Sequence, residues 1–286
     1  MTEDFARAVT GWYAGAARAL PWREPGCGPW GVMVSEFMLQ QTPVARVLPV
    51  WSAWMARWPA PAALAAEPAG EAVRAWDRLG YPRRALRLHA AAITIVDRYG
   101  GDVPLDPVVL RTLPGVGAYT AAAIAAFAGG TRVAVLDTNV RRVYARVYDG
   151  VADAAGSPTV GEWERAQARL PDPPGAYSVA VMELGALVCT ARTPRCEECP
   201  VAAQCRWRAA GYPAGVRRGR PQPYAGTDRE VRGRLLAVLR ASHGDVPARE
   251  LDMVWPDPAQ RSRALAGLVA DGLAEHTADG LYRLPS

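Results

Sequence analysis

The residues with the clearest chemistry are four cysteines that lie close together, Cys189, Cys196, Cys199 and Cys205. Their spacing, C-x6-C-x2-C-x5-C, allows four thiolates to enclose one metal centre. Thiolates select zinc or iron–sulfur clusters over hard cations, and four cysteines are the ligand set of a [4Fe–4S] cluster. A structural zinc site usually has two short C-x2-C pairs, of which only one occurs here, and two disulfides would need an oxidising compartment. The spacing favours the cluster, with zinc and disulfides as the alternatives.

Two glycines, Gly115 and Gly117, stand in the segment LPGVGAYT, between one predicted helix and the start of the next. Without Cβ atoms the backbone can approach a ligand closely, and the free amides at a helix N-terminus bind anions. The segment therefore predicts a helix–hairpin–helix that binds a DNA phosphate. The alternative is an ordinary turn between two helices.

Two carboxylates stand out by their surroundings. Glu36 is the only ionisable residue between Trp30 and Thr42, in a stretch so apolar that it predicts a buried helix. Burial disfavours the charged form of a carboxyl, which suits Glu36 to act as a general acid; a buried Glu bonded to the backbone is the alternative. Asp137 follows an apolar stretch and precedes a basic helix, so it is either a helix N-cap or a carboxylate that faces a reacting sugar.

The elements that must position these residues are mainly helical. Apolar periodicity and Pro or Gly punctuation predict helices that begin near Tyr119 and near Asn139, and others over residues 3–19, 30–41, 43–58, 69–79, 82–99, 159–169 and 174–188. No strand is predicted in this part of the chain. We expect one domain over residues 1–212, with the cysteine loop at 189–205.

A second, smaller domain is predicted after a linker. Residues 213–227 are rich in Pro, Gly and Arg, as linkers are. Residues 228–286 suggest three helices and a hairpin that turns at Asp279 and Gly280, which is the outline of a winged helix. Winged helices bind DNA or protein, so the outline does not choose between the two.

Composition narrows the classes of protein. The chain has 286 residues, is 50% hydrophobic and carries a net charge of +5, which is compatible with a polyanionic partner. No apolar run reaches the roughly 18 residues of a membrane span, and the N-terminal residues have no signal-peptide pattern, so we expect a cytoplasmic protein without a membrane partner. All 33 basic residues are arginine. The chain therefore has no side-chain amine to form a Schiff base.

Taken together, the motifs resemble the helix–hairpin–helix base-excision glycosylases that carry an iron–sulfur loop. Among these the chain looks like the adenine glycosylases of the MutY type rather than endonuclease III. The resemblance covers about residues 5–210 and rests on SEFMLQQT at 35–42, LGYPRRALRLH at 79–89, LPGVGAYTA at 113–121, LDTNVRRV at 136–143 and MELGALVCT at 182–190. It implies a two-lobed helical fold in which the cluster is structural.

The resemblance also implies catalytic roles. Glu36 matches the general acid that protonates the five-membered ring of a flipped adenine, and Asp137 matches the carboxylate that stabilises or covalently traps the sugar cation. Asn139 matches a polar group that assists this chemistry. Tyr119 lines the same site, where lyase-competent relatives have a lysine, so the enzyme is expected to be monofunctional.

Five further residues are implied to contact the substrate. Arg18 and Glu183 match residues that hold the adenine, and Trp22 matches a wall of its pocket. Gln41 and Tyr81 match side chains that are wedged into the duplex around the flipped nucleotide.

The substrate that the resemblance implies is double-stranded DNA with an A:8-oxoguanine or A:G mispair, bound by a monomer. Familiar members of the family recognise 8-oxoguanine with a larger C-terminal domain, in whose place this chain has residues 228–286. We expect this block to add duplex-binding surface, with a protein-docking module as the alternative. The competing functions are a thymine or oxidised-pyrimidine glycosylase on the same scaffold and an iron–sulfur DNA-binding regulator.

Overall fold

The computed structural model describes residues 2–215 and 224–286. In the first range every regular element is helical, as predicted. The helices are α1 Thr2–Ala16, α2 Gly28–Leu39, α3 Val44–Arg57, α4 Pro61–Ala65, α5 Ala69–Ala75, α6 Arg83–Tyr99, α7 Pro107–Leu110, α8 Ala118–Gly129, α9 Thr138–Tyr144, α10 Val160–Ala168, α11 Tyr177–Leu187 and α12 Arg206–Ala209. A π-helical turn, Ala145–Asp149, continues α9, and 3₁₀ turns occur at Pro21–Arg23, Cys196–Glu198 and Ala202–Gln204.

The second range has the element order of a winged helix. It comprises α13 Asp228–Ala241, β1 Val246–Pro247, α14 Ala248–Asp252, α15 Pro258–Ala270, β2 Glu275–His276 and β3 Leu281–Arg283. The strands form an antiparallel sheet in the order β1-β3-β2. The predicted hairpin is present, and Gly280 adopts φ 76° in its turn. The sequence analysis missed β1, because two residues are too few for an alternating pattern.

Helix positions follow the predictions closely, and the three helices that were missed are α4, α7 and α12, with five, four and four residues. Such short helices carry less than two turns of apolar periodicity. None of the helices in the described residues is both long and apolar enough to span a membrane.

The described chain divides into two compact units. The first contains residues 2–32, 105–111 and 116–215, and the second contains residues 33–104, 112–115 and 224–286. The block of residues 228–286 therefore groups with α3 to α6. Most of the predicted linker, residues 216–223, lies outside the described residues, and the predicted boundaries at 212 and 228 remain a prediction.

The first unit is built around α9 and α11. Its core includes Phe5 from α1, Tyr144 from α9, Tyr148 from the π turn and Tyr177 from α11. The rings of Phe5 and Tyr148 are 5.4 Å apart, within the range of favourable aromatic contacts. Cys189, Cys199 and Cys205 pack against this same core, which places the cysteine loop on its edge.

The second unit has a tryptophan core. The Trp54 ring meets those of Trp58 and Trp76 edge to face, with centroids 4.6 and 5.8 Å apart. All three side chains are almost fully buried.

Within this second unit, the C-terminal block is attached to α5 by main-chain hydrogen bonds. Gly70 N donates to Pro285 O at 2.7 Å, and Arg240 Nε donates to Val73 O at 2.9 Å. Arg74 donates in turn to the carbonyl of Arg240. A Cβ on Gly70 would lie 2.5 Å from Pro285 O, so the glycine is what permits this close approach.

Basic residues in α13 would favour a duplex-binding face, but three of its arginines pair with groups of the protein itself. Arg232 pairs with Asp271, and Arg234 lies 2.7 Å from Glu230. Arg240 is the residue that reaches α5. The expectation that this block binds duplex DNA therefore loses part of its charge argument, and it remains a prediction.

Candidate functional site

Asp137 precedes α9 and caps it, and its carboxylate can accept more hydrogen bonds than the cap requires. Its Oδ1 accepts a hydrogen bond from Val140 N at 2.6 Å, and its Oδ2 accepts one from Asn139 Nδ2 at 2.7 Å. A carboxylate has about four lone-pair sites. Burial raises the pKa of Asp137 above its usual range, although both hydrogen bonds oppose the rise. The N-cap interpretation is therefore correct, and it leaves lone pairs that could face a developing cation.

A chain of hydrogen bonds joins Asp137 to the cysteine loop. Asn139, which holds Asp137, accepts from Arg142 Nη2 at 2.8 Å through its own Oδ1. Arg142 also donates to Gly185 O at 2.6 Å and, through Nε, to Cys189 O at 2.7 Å. Arg142 is buried, and sequence reasoning missed it because its partners are main-chain oxygens more than 40 residues away.

Helix α11 approaches α9 closely through Gly185. A Cβ on Gly185 would lie 2.7 Å from Asn139 Cβ and 2.8 Å from Asn139 O. Real Cβ atoms do not come so near, so the absence of a side chain at Gly185 determines where Asn139 sits.

Glu183, also on α11, is fully buried and saturated by arginines. Oε1 accepts from Arg18 Nε at 2.7 Å and Arg18 N at 3.1 Å, while Oε2 accepts from Arg18 Nη2 at 2.7 Å and Arg23 Nη2 at 2.9 Å. Burial alone would raise the pKa of Glu183, but the hydrogen bonds from Arg18 and Arg23 lower it to about 2. The structure thus brings together Arg18 and Glu183, as the resemblance implied.

Arg23 is a functional candidate that the sequence analysis missed. It follows Trp22, which is buried in the same 3₁₀ turn, and its guanidinium lies 5.9 Å from the centre of the Tyr13 ring. Its Nη1 is buried and has no hydrogen-bond partner in the protein. An unpaired buried donor is costly, so a bound acceptor such as a base nitrogen would relieve that cost. Adjacency to Trp22 in the segment LPWRE was the available signal.

Gly117 and Tyr119 mark the start of α8. Gly117 is the N-cap, exposed and extended at φ −88°, so the free amides of the first turn are accessible to an anion. Tyr119 is half-buried and packs with Val135 against Ala122 and Ala123. The phosphate-binding role of Gly117 and the active-site role of Tyr119 remain predictions.

Gly115, in the second unit, is required by the protein itself. It adopts φ 79°, and a Cβ there would lie 2.8 Å from Arg87 Cβ and 2.9 Å from Phe37 Cε1. The sequence analysis assigned the missing Cβ to close approach of a ligand. The structure gives a further reason, which is the approach of α2 and α6 to the turn.

Glu36 is buried as predicted, with 5% of its surface exposed. The flanking residues 31–38 of α2 are all buried, so this helix has no solvent-facing side along that stretch. The apolar pattern of α2 therefore predicted the environment of this carboxyl correctly.

Gln41 and Tyr81, both in the second unit, occupy two loops with unusual backbone geometry. Their φ angles are 56° and 49°, in the left-handed region that side-chain-bearing residues rarely adopt. Both side chains are exposed, and Tyr81 has 59% of its surface accessible. An exposed aromatic ring on a constrained loop is suited to stack on a base.

The four cysteines of the loop line one common pocket. All five cysteines of the chain are free thiols, so the disulfide alternative is wrong. The pocket is also lined by Leu184. A pocket lined by four thiols fits a metal group held by cysteine ligands.

The surroundings of the thiols favour an anionic group. Arg146 is buried, donates from Nη1 to Cys189 Sγ at 3.4 Å, and stacks over Trp207 at 4.3 Å. Burial raises the pKa of Cys199 to about 11, so thiolates form there only with a counter-charge such as iron. When bound, the cluster supplies a covalent cross-link of this loop, and the residues that would hold it are the four cysteines.

Two family models match the chain. Residues 34–159 match the HhH-GPD superfamily base excision DNA repair protein. Residues 189–205 match the iron–sulfur binding domain of endonuclease III. The second match spans the four predicted ligands and confirms the [4Fe–4S] cluster as the cofactor.

Similar proteins are known over almost the whole chain. An adenine DNA glycosylase of Mycolicibacterium smegmatis is 56% identical, covering 96% of this chain and 93% of its own length. One of Mycobacterium tuberculosis is 54% identical, with 96% and 91% covered. Coverage of 96% is possible only if most of residues 228–286 is included, so these relatives share the small C-terminal block.

A solved structure supports the fold independently. A thermostable thymine-DNA glycosylase superposes with a TM-score of 0.67 at 25% identity, covering 73% of this chain and 97% of its own.

Proposed function

The chain belongs to the adenine DNA glycosylases, within the HhH-GPD superfamily of base excision DNA repair proteins, and we propose that it excises adenine paired with 8-oxoguanine or guanine in duplex DNA. The observation that carries this proposal is the identity with the mycobacterial adenine glycosylases across the full chain. The geometry around Asp137 and Glu183 supports the chemistry.

The reaction needs the adenine to leave the base stack. A base inside a duplex cannot be reached by catalytic groups, so such enzymes extrude the nucleotide. Gln41 and Tyr81 would fill the duplex around the extruded nucleotide. The amides near Gly115 and Gly117 would bind a backbone phosphate and fix the register of the enzyme on the strand.

The extruded base would be held by Arg18, Glu183 and Trp22, with Arg23 as a fourth member. The carboxylate of Glu183 is ionised because two arginines hold its pKa near 2. Because Arg18 and Arg23 already occupy its four lone-pair sites, its role would be to fix the two guanidinium groups that face the base. Arg23 Nη1 would donate to a ring nitrogen.

Cleavage of the glycosidic bond requires help at both ends of the bond. Adenine is a poor leaving group until a ring nitrogen is protonated, and Glu36 would deliver that proton. The sugar then carries positive charge, which Asp137 would stabilise through the lone pairs left over from capping α9. Asn139 would hold Asp137 in place, and Tyr119 would line the same site.

The product should be an intact strand with an abasic site. Strand cleavage by this superfamily's lyase route needs an amine that forms an imine with the sugar, and the sequence has no lysine. Borohydride should therefore trap no protein–DNA adduct, and strand breaks should appear only after alkali or heat. Strong trapping by a tag-free preparation would contradict monofunctional chemistry.

The function is tested by single-turnover excision on duplexes with A:8-oxoguanine, A:G, A:T and G:T pairs. We expect adenine release from the first two. Glu36→Gln should nearly abolish release while keeping affinity for the mismatch, because the amide has the same size but no transferable proton. Glu164→Gln, on the exposed surface of α10, is the matched control. Near-normal release by Glu36→Gln would remove the acid from the mechanism.

The structural likeness to a thymine-DNA glycosylase favours a second candidate function, the excision of thymine from G:T pairs. The G:T duplex in the same assay decides between the two. Release of thymine in preference to adenine would replace the proposal.

A further inference from the structure

Arg84 contacts both of the loops that carry the exposed side chains Gln41 and Tyr81. Its Nη1 donates to Gln40 O at 2.6 Å, and its Nη2 donates to Gly80 O at 3.1 Å. These carbonyls belong to the residues immediately before Gln41 and Tyr81. One guanidinium therefore orients the peptide group that precedes Gln41 and the peptide group that precedes Tyr81.

Additional contacts make this geometry rigid. Arg84 Nη1 donates to Phe37 O at 2.7 Å, in the last turn of α2, where carbonyls lack helical partners. Its Nη2 donates to Thr42 Oγ1 at 3.2 Å, and Thr42 Oγ1 donates to Leu79 O at 3.1 Å. Arg84 thus ties the end of α2, the 40–42 loop and the 79–81 loop together.

The guanidinium also touches the exposed aromatic ring directly. It lies between the rings of Trp76 and Tyr81, with centroid distances of 5.3 and 5.5 Å. Trp76 is buried, whereas Tyr81 is 59% exposed, so the cation connects a fixed ring to an accessible one. The side chain of Arg84 is itself buried. Its partners are main-chain carbonyls, one hydroxyl and two rings.

Left-handed backbone is unfavourable for a side-chain-bearing residue, because its Cβ comes too close to the following carbonyl oxygen. Two such residues in adjacent loops persist only if their surroundings over-determine them, and that strain is typical of functional sites. Arg84 donates to the carbonyl that precedes each of them. A lysine could not replace it, because an ammonium has neither the planar fork nor the stacking face.

We propose that Arg84 is a positioning residue for base extrusion, which holds Gln41 and Tyr81 in the strained conformation that inserts into duplex DNA. This inference rests on the proposed function, since it takes Gln41 and Tyr81 as the inserted side chains. Pre-forming both loops removes an ordering cost from the extrusion step, so the effect of Arg84 falls on extrusion and not on general affinity for DNA.

The test measures extrusion directly, with 2-aminopurine in place of the adenine opposite guanine and with Glu36→Gln in every variant to prevent excision. The fluorescence rise on unstacking reports the extruded fraction. We expect Arg84→Lys and Tyr81→Ala each to lower the extrusion equilibrium about tenfold, with affinity for fully paired duplex unchanged. Arg98→Lys, exposed at the end of the same helix, is the control.

Combined variants separate positioning from a general structural role. If Arg84 acts through Tyr81 and Gln41, Arg84→Lys should have less than a twofold further effect once both Tyr81 and Gln41 are alanine. Multiplied effects, or an unchanged extrusion equilibrium in Arg84→Lys, would overturn the proposal. Should Arg84→Lys fail to fold, Thr42→Val, which removes the shared hydroxyl, should lower extrusion about threefold, and no change there would equally overturn it. Absence of adenine release by the wild-type protein would instead refute the proposed function.

Discussion

Replacing Gly185 by alanine tests whether the close contact between α11 and α9 controls catalysis. The new Cβ would lie 2.7 Å from Asn139 Cβ and 2.8 Å from Asn139 O, whereas carbon contacts settle near about 3.5 Å. The helices must therefore separate locally by roughly 0.8 Å. The Asn139 to Asp137 hydrogen bond, 2.7 Å long, would stretch beyond bonding distance if Asn139 moved by that amount.

Two quantities should change together. Overpacking costs about 1–3 kcal/mol, and the better helix propensity of alanine returns roughly 1 kcal/mol, so we expect a net loss of about 0–2 kcal/mol in the free energy of unfolding. The single-turnover rate of adenine release should fall about 100-fold, as for other displacements of about 1 Å at a catalytic group. Affinity for the mismatched duplex should change little, because the residues expected to contact the duplex, Gln41 and Tyr81, belong to the second unit.

Gly11→Ala is the matched control, since it lies in α1 and a Cβ there meets nothing within 4 Å. This variant should keep its rate and gain a few tenths of a kcal/mol or more in stability. Urea unfolding and rapid-quench excision measure the two effects. If Gly185→Ala behaves like Gly11→Ala in both assays, Asn139 does not depend on the contact and the argument fails.

Three further predictions concern the electrostatics, the C-terminal block and the cluster. Because the pKa of Glu183 is lowered from 4.5 to about 2, its ion pairs stabilise the fold above pH 4.5 and are lost as the pH falls toward 2. We expect this loss to be roughly 2 kcal/mol, after allowing for the exposure of Arg18. The Glu183→Gln variant should not show it. Equal pH profiles of unfolding would contradict it. Arg240→Met should loosen residues 228–286 from α5 and speed limited proteolysis of this block. Arg263→Met, which changes an exposed side chain, should not. Identical cleavage rates for the two variants would show that Arg240 does not attach the block to α5. Removal of iron should expose residues 189–205 to protease and lower the unfolding temperature, and an apo-protein as resistant as the loaded one would show that the loop folds without its cluster.

Local patterns in the sequence were sufficient for the helices, the buried environment of Glu36 and the cysteine ligand set. Each depends on residues near one another in the chain: apolar periodicity, a single carboxyl in an apolar stretch, and thiols within one short loop. Such signals survive without knowledge of the fold, because helix formation and ligand spacing are local properties. The resemblance to the glycosylases added roles for Arg18 and Glu183, and the structure brings these two residues into contact.

Only the tertiary structure decided what the buried arginines do. Arg84, Arg142 and Arg23 satisfy carbonyls and carboxylates that lie about 40 to 160 residues away, and a main-chain oxygen leaves no mark in a sequence. The same reason hid the attachment of residues 228–286 to α5, which depends on Gly70 and Arg240. Periodicity predicts which side of a helix is buried. The groups against which that side packs depend on how the whole chain folds, and those groups decide which parts of the protein a buried arginine holds in place.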